Sequence, residues 1–391
     1  MIVRKATINS FNDVINLVRN TKCSDYACKY FANKSVFNLI IVEKIDNRAA
    51  NILKQEAISV GADAAIDESV SRFKMGVSNL VLFANAVQVE KLINKFRLQP
   101  FGLKDVSLQL RSIINKKKVF KCKQKLIDIS NPIIMGIINM DPNSFSGDGF
   151  INPESACRRA VEFAESGAVI IDIGAESSRP WSRPIDAKRE IKRLIPALKK
   201  IRRSVNIPIS VDTYKYETAK VALSEGADII NDIFALRKGR DKLATLVTDT
   251  KAGLILVHMK GTPNNMQKSP KYKNCVSEIY EFLYKRKAYA MSFGINEECI
   301  AVDPGPGFGK TIKHNIELIK NMNVFSALGA VVGAVSRKRF VKHIVGTADK
   351  LAFVAANFFV AFYGADIIRV HDVKDTISIL KIMKLFEDYN V

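Results

Sequence analysis

From about residue 131 the chain alternates between short aliphatic runs and longer stretches in which apolar residues recur at helical spacing. The runs Ile133–Met140, Val169–Ile173, Ile207–Val211, Asp228–Ile230, Gly253–Val257, Ile300–Val302, Ala330–Ala334 and Asp366–Val370 read as strands buried on both faces. The amphipathic stretches 153–167, 186–204, 214–225, 239–251, 274–293, 314–322, 347–363 and 374–388 read as the helices between and after them. Eight such units in about 260 residues match a (β/α)8 TIM barrel. An open doubly wound sheet is the competing α/β architecture, but it normally uses fewer strands. The predicted fold is a barrel over 131–391, preceded by a small α/β domain over 1–120 and a linker at 121–130. In the first third, FNLIIVEK and NLVLFAN read as strands and Ala49–Val60 and Val87–Lys95 as helices, while Lys116–Asp128 is polar and lysine-rich.

Composition narrows the class only a little. A hydrophobic share of 48% over 391 residues allows a large buried core. The start has no apolar run of signal-peptide length, and Leu351–Ala365 falls short of a span. The expectation is a cytoplasmic protein with no membrane partner. Six scattered cysteines without CxxC spacing point to free thiols rather than zinc or a disulfide framework. The net charge is +21, and residues 1–130 hold 22 basic and 11 acidic side chains. Such an excess suits nucleic acid, a membrane surface or small anions. No aromatic-interleaved basic stripe or binding motif accompanies it, so nucleic acid is not the expected partner.

In a barrel, the chemistry sits at the C-terminal strand ends and in the loops that follow. This chain places polar residues at every one: Asn139 and Asp141, Glu176 to Pro180, Asp212, Asn231-Asp232, His258 to Gly261, Asp303 to Lys310, Ser336-Arg337-Lys338, and Arg369 to Asp372. Any one of these is weak, since a strand-end Asp or Asn often only caps the next helix. Together they line one rim. Asp212, Asn231 and Asp303 offer acceptors and an amide to the N–H edge of a heterocycle, and Lys338 donates to its other edge. Arg369, His371, Ser336 and Arg337 are donors for a phosphate or diphosphate near the last strands. Asn139 is a neutral oxygen ligand suited to Mg2+ that diphosphate already bridges. GPGFGKT, ending at Thr311, mimics a phosphate-binding loop, but Pro304 occupies its required first glycine.

These motifs resemble those of the dihydropteroate synthases across essentially all of 131–391. GIINMDPNSFSGDGF is similar to the family's first loop, G-I-[LI]-N-[VI]-T-P-D-S-F-S-D-G-G, and GAESSRP to its second; SVDT, Asn231-Asp232, DPGPGFGK, GAVSRK and RVHDV follow in family order. The first third resembles the N-terminal extension of some longer members. The resemblance implies condensation of a pterin diphosphate with an aryl amine, p-aminobenzoate, in folate biosynthesis. It assigns Asn139 to Mg2+ and diphosphate, and Asp212, Asn231, Asp303 and Lys338 to the pterin, with Met259 and Phe308 beside the ring. Arg369 and His371 would grip the diphosphate, and Ser178, Arg179, Pro180, Phe145 and Ser336 would form the aryl-amine pocket. Asn139, Arg369, His371 and Lys338 would then be the catalytic set. A homodimer is also implied.

The pattern breaks in the substrate loops. Asp141 replaces the usual Thr, Asn143 the following Asp, Gly147 displaces the next Asp to 148, and Trp181 replaces a Gly. A carboxylate at Asp141 would oppose an anionic amine unless solvated or paired. The expectation is that it points to solvent and that p-aminobenzoate is used. The alternatives are a decorated aryl amine of the methanopterin type, a pterin-dependent methyltransferase, and a non-catalytic pterin or nucleic-acid binder.

Overall fold

The computed structural model describes residues 1, 11–115, 118–141, 152–347 and 349–388. The chain divides into two compact units, Met1–Lys116 with Leu385–Val391, and Lys117–Lys384.

The first unit runs α1 (Phe11–Arg19), α2 (Asp25–Ser35), β1 (Phe37–Asp46), α3 (Asn47–Ser59), β2 (Asp63–Ile66), α4 (Glu68–Ser71), β3 (Val77–Asn85), α5 (Ala86–Phe96) and α6 (Leu103–Ile114). Its antiparallel sheet has the order β1-β3-β2. Strand alternation sends Ile40, Leu80, Leu82 and Ala84 into one core with Leu53, Leu92, Ile93 and Phe96 of the helices. Asp46 and Asn85 end a strand and cap the following helix, Asn85 through a full capping box with Gln88. The expected strands and helices of this region are β1, β3, α3 and α5. The sequence reading did not include α1, α2 and α6, nor the short β2 and α4, whose few residues carry no periodicity.

The second unit opens with a hairpin, β4 (Val119–Cys122) and β5 (Lys125–Asp128). The stretch expected as a linker at 121–130 is therefore structured. Its lysines hid a two-residue alternation that turns Phe120, Cys122 and Ile127 into a single buried face. Phe120 is fully buried, and a Cβ on Gly253 would meet its ring at 2.9 Å. Lys125 and Arg202 bind Asp228 at 2.9 and 3.1 Å, beside the start of the barrel strands.

Those strands are β6 (Ile133–Asn139), β7 (Ile170–Gly174), β8 (Ile209–Asp212), β9 (Ile229–Asp232), β10 (Gly253–Val257), β11 (Ile300–Asp303), β12 (Ala330–Gly333) and β13 (Ile367–Val370). All are parallel, and β13 pairs back onto β6, which closes the barrel and excludes the open sheet. The helices are α7 (Pro153–Glu165), α8 (Ala187–Ser204), α9 (Tyr216–Ser224), α10 (Arg240–Thr250), α11 (Cys275–Ser292), α12 (Ile312–Lys320), α13 (Arg339–Val345), α14 (Lys350–Phe362) and α15 (Val373–Asp388). The single helix expected at 347–363 is preceded by the separate α13, which ends at Gly346 with φ +78°.

Outward strand residues such as Ile134, Ile171, Val211, Ile230 and Leu256 pack against the helices. The opposite set, Met135, Ile170, Ile229, Ile255, Ala330 and Ile367, packs with the hairpin in the lower barrel. Further along, the same inward parity falls on Asn139, Asp172, Asp212, Asn231, Asp303 and Arg369. The barrel interior is thus apolar at its hairpin end and polar at its C-terminal mouth. Among the described residues no single helix is long and apolar enough to cross a membrane.

Candidate active site

The floor of the mouth is a buried ion cluster. Arg369 donates from Nε to Asp172 Oδ2 at 2.6 Å and from Nη2 to Asp212 Oδ2 at 2.8 Å. Asp172 is completely buried, and Asn231 Nδ2 approaches it at 3.5 Å. Sequence reasoning missed Asp172, although its inward parity on β7 marked it. Burial pushes the Asp212 carboxyl up against the pull of Arg369, with Asp172, Glu190 and Glu176 adding to the rise, to about 7. Burial opposes the Arg369 charge, yet Asp172 and Asp212 hold its pKa above the ordinary value. Asp172 Oδ1, Asn231 Oδ1 and Ser210 Oγ are buried without a partner. Each is an acceptor, and burying acceptors unmet is costly unless a donor arrives.

The next wall comes from the loop after β11. Burial also raises the Asp303 carboxyl, whose Oδ1 accepts the Gly305 N–H at 2.7 Å. Lys338 donates to the Pro306 carbonyl and lies 4.4 Å from the centre of the Phe308 ring. Burial lowers its ammonium to about 8, against the pull of Asp303. Met259 packs with Ile233, Phe234 and Met266, and Phe308 lies against that group. The predicted Asp212, Asn231, Asp303, Lys338, Met259 and Phe308 therefore share one pocket mouth. Three carboxylates face two cations there, so a ligand rich in N–H donors complements them.

A second cluster lies where β6, β12 and β13 meet. Asn139 Nδ2 is 3.3 Å from His371 Nε2, and Ser336 Oγ is 3.1 Å from His371 Nδ1. A neutral His371 with its proton on Nδ1 satisfies both contacts, and burial holds its pKa well below the ordinary value. The Asn139 amide then turns its NH2 to the ring and offers its oxygen. Ser336, expected in the aryl-amine pocket, is tied to His371 as well. Arg369, expected beside His371 on the diphosphate, is engaged by the floor carboxylates. Among the described residues no group of three or more His, Cys, Asp or Glu side chains could hold a metal ion.

The third group is the pair of substrate loops. Phe145, Asn143 and Gly147 lie outside the described residues. Asp141 does not point to solvent. It is buried and ion-paired to Arg193 of α8 at 3.5 Å, while Arg193 also donates to the Ala175 carbonyl at 3.3 Å. Ser178, Arg179 and Pro180 are half-buried after β7, and burial lowers Arg179 while Asp141 supports its charge. This loop is pinned through Glu176, which accepts from Ile185 N at 3.0 Å, Tyr214 Oη at 3.0 Å and Lys215 Nζ at 2.5 Å. Trp181 follows with φ +71°, the left-handed region that favours glycine, and its N–H bonds the Pro263 carbonyl at 2.9 Å.

Comparison with known proteins fits this geometry. The family model for pterin-binding enzymes matches residues 135–371. A dihydropteroate synthase of Haemophilus influenzae is 37% identical over 271 residues, covering 66% of this chain and 95% of that protein. A bifunctional dihydropteroate synthase/dihydropteroate reductase of Helicobacter pylori is 33% identical over 363 residues, covering 91% of this chain and 92% of that protein. The dihydropteroate synthase of Xanthomonas albilineans has been solved with 4-aminobenzoic acid, with a TM-score of 0.63 and 31% identity over 70% of this chain and 99% of that one. The same organism's enzyme with 7,8-dihydropteroate gives a TM-score of 0.61 and 29% identity over 70% and 100%.

Proposed function

This chain belongs to the dihydropteroate synthase family of pterin-binding enzymes, and we propose how its own residues condense 6-hydroxymethyl-7,8-dihydropterin diphosphate with p-aminobenzoate. The products are 7,8-dihydropteroate and diphosphate, a transferase step of folate biosynthesis. The observation that carries the pterin half is the buried layer of acceptors with unmet capacity, Asp172, Ser210 and Asn231, beside Asp212 and Asp303. A pterin presents adjacent ring and amino N–H donors to such a layer, while Lys338 donates to its acceptor edge. Phe308 and Met259 flank the ring and exclude water.

In the step itself the bond from the pterin methylene carbon to the diphosphate oxygen breaks, and a bond from that carbon to the amine nitrogen forms. The amine is a neutral nucleophile at pH 7 and releases its proton to solvent, so no general base is required. Ser336 holds the His371 ring, and the ring turns the Asn139 amide so that its oxygen faces the leaving-group side of the pocket. Mg2+, held by the Asn139 oxygen and the diphosphate, would neutralise charge on the leaving group. Ser178, Arg179 and Pro180 would wall the amine pocket, and Glu176 fixes their loop. Because Asp141 is neutralised by Arg193, its charge is no obstacle to an anionic amine. This favours p-aminobenzoate over a decorated amine.

The full-length match to the Helicobacter pylori protein extends well into residues 1–116 and favours a second reading for that unit, a part in dihydropteroate reduction. Consumption of dihydropteroate by the full chain with a reduced nicotinamide would support it, and no consumption would remove it. We further propose a cytoplasmic homodimer, supported by six free cysteines and by the exposed Leu351, Phe359 and Phe362 of α14. Sedimentation tests the dimer.

The main test mixes the protein with Mg2+ and the pterin diphosphate and follows diphosphate release with and without p-aminobenzoate. Amine-dependent release with dihydropteroate as product is expected. Amine-independent release, or no binding of the pterin diphosphate, would overturn the assignment.

A further inference from the structure

Lys310 closes the loop after β11, and the chemistry above leaves it without a task. It is buried at 3% exposure, and its ammonium has three acceptors: His258 Nδ1 at 3.0 Å, the Gly305 carbonyl at 2.8 Å and the Phe308 carbonyl at 3.0 Å. An ammonium has three donors, so the set is complete. Two of the acceptors belong to its own loop, which turns through Gly305, Gly307 and Gly309, all with positive φ. The third belongs to the residue directly after β10 and directly before Met259. The two strand ends already touch there: His258 N bonds the Asp303 carbonyl at 2.8 Å, and a Cβ on Gly305 would lie 2.0 Å from the His258 carbonyl. The His258 ring is held in turn by an edge-to-face contact with Phe282 at 4.9 Å.

Backbone this rich in glycine does not hold one shape unaided, because glycine is free to adopt many. Yet this loop must present three features together: Asp303 in the wall, Phe308 beside the ring, and the Pro306 carbonyl that receives Lys338. Lys310 reaches back across the turn and fixes the carbonyls on either side of Pro306 and Gly307. Resting on the functional reading above, we propose that Lys310 and His258 form a buried latch that positions the Asp303–Phe308 turn for the pterin. Lys310 and His258 are then positioning residues, acting through Asp303, Phe308 and Lys338. The latch fixes the His258 tautomer, with Nδ1 accepting and the proton on Nε2. It serves the pterin half of the reaction and leaves the amine half alone.

The test has a substrate-free arm and a substrate arm. Burial lowers Lys310 to about 7, so nitrogen NMR of the [15N]His-labelled full chain at about pH 6, where the ammonium prevails, should find His258 neutral, with Nδ1 unprotonated and Nε2 carrying the proton. Lys310→Met should move the Nδ1 resonance. Nδ1 found protonated would remove the latch, whatever the enzyme's substrate. In the second arm the wild type should bind the pterin diphosphate, and its failure would remove the functional reading and this proposal with it. His258→Asn keeps an acceptor near the Nδ1 position and should hold pterin affinity within about threefold, whereas His258→Leu leaves the ammonium one acceptor short and should weaken it roughly tenfold. The KM for p-aminobenzoate should stay unchanged in both. A latch that only stabilised the fold would lower the melting temperature of His258→Leu while its folded fraction bound pterin as the wild type does. That result, or an equal rise in the amine KM, would overturn the proposal.

Discussion

Asp172→Asn probes the cluster at the base of the pocket with almost no change of shape. Asp172 is fully buried and takes two contacts from Arg369, from Nε at 2.6 Å and from Nη2 at 2.5 Å. The amide keeps an acceptor but loses the charge, and Arg369 retains only Asp212 at 2.8 Å. Hydrogen bonds to charged groups contribute about 1.5–3 kcal/mol each, so the net cost should fall in that range rather than at the full value of a broken buried pair. For a barrel of this size that is a fall in Tm of roughly 3–12 °C. The sharper signature is in pH. Asp212 is pushed to about 7, first by burial and further by the Asp172 charge, so wild-type pterin binding that needs the carboxylate is lost as pH falls through that value. Removing the Asp172 charge lowers the Asp212 pKa, and the acid limb must move to lower pH. Pterin affinity measured by titration calorimetry between about pH 5 and 8, beside a thermal melt, reads both effects. An unchanged acid limb, or one moved to higher pH, would refute the reasoning even if Tm fell.

Further outcomes follow from the same geometry. Lys338 is held down to about 8, so pterin binding should weaken as pH rises through that value and the ammonium is lost; Lys338→Met should abolish this alkaline limb and reduce affinity by at least roughly tenfold in the same titration. Trp181 occupies a left-handed backbone position at φ +71°, and Trp181→Gly should raise stability by about 1 kcal/mol in urea unfolding; a loss of stability would mean that its ring contributes more than the strain costs. Arg193→Met removes one of the cations beside buried Asp141 and should cost about 1–3 kcal/mol, part of which Asp141→Thr in the double variant should restore; additive losses would mean the pair is not coupled. Phe120→Ala empties the hairpin plug and should cost about 3–5 kcal/mol while leaving both KM values in place, because the plug lies at the opposite end of the barrel from the substrates.

The barrel and the identity of most rim residues were legible from the order of residues alone. Each β/α unit is local: the aliphatic run, the polar strand end and the amphipathic helix lie within a few tens of residues, and their periodicity is set by backbone geometry alone. Asp212, Asn231, Asp303 and Arg369 were legible because they stand at the C-terminal ends of strands, where a barrel keeps its chemistry; Asp172, set deeper in β7, was marked only by strand parity and was missed. The hairpin was not legible, because four-residue strands interleaved with lysine look like a tether until the apolar end of the barrel, opposite the mouth, gives Phe120 somewhere to be buried. Nor were the partnerships. Arg369 meets Asp172 across 197 positions only because β13 returns to β6, and that closure decides that Arg369 reaches the floor carboxylates while His371 meets Asn139. Asp141 read as an exposed liability because its counter-ion sits on α8, and Lys310 read as a failed phosphate loop because His258 lies 52 residues earlier, just past the neighbouring strand. Charge and hydrogen bonding act over a few ångströms in space, and the distance between such groups along the chain carries no trace of it. The side chains were written in the sequence; which of them neutralise, orient and hold one another was settled when the barrel closed.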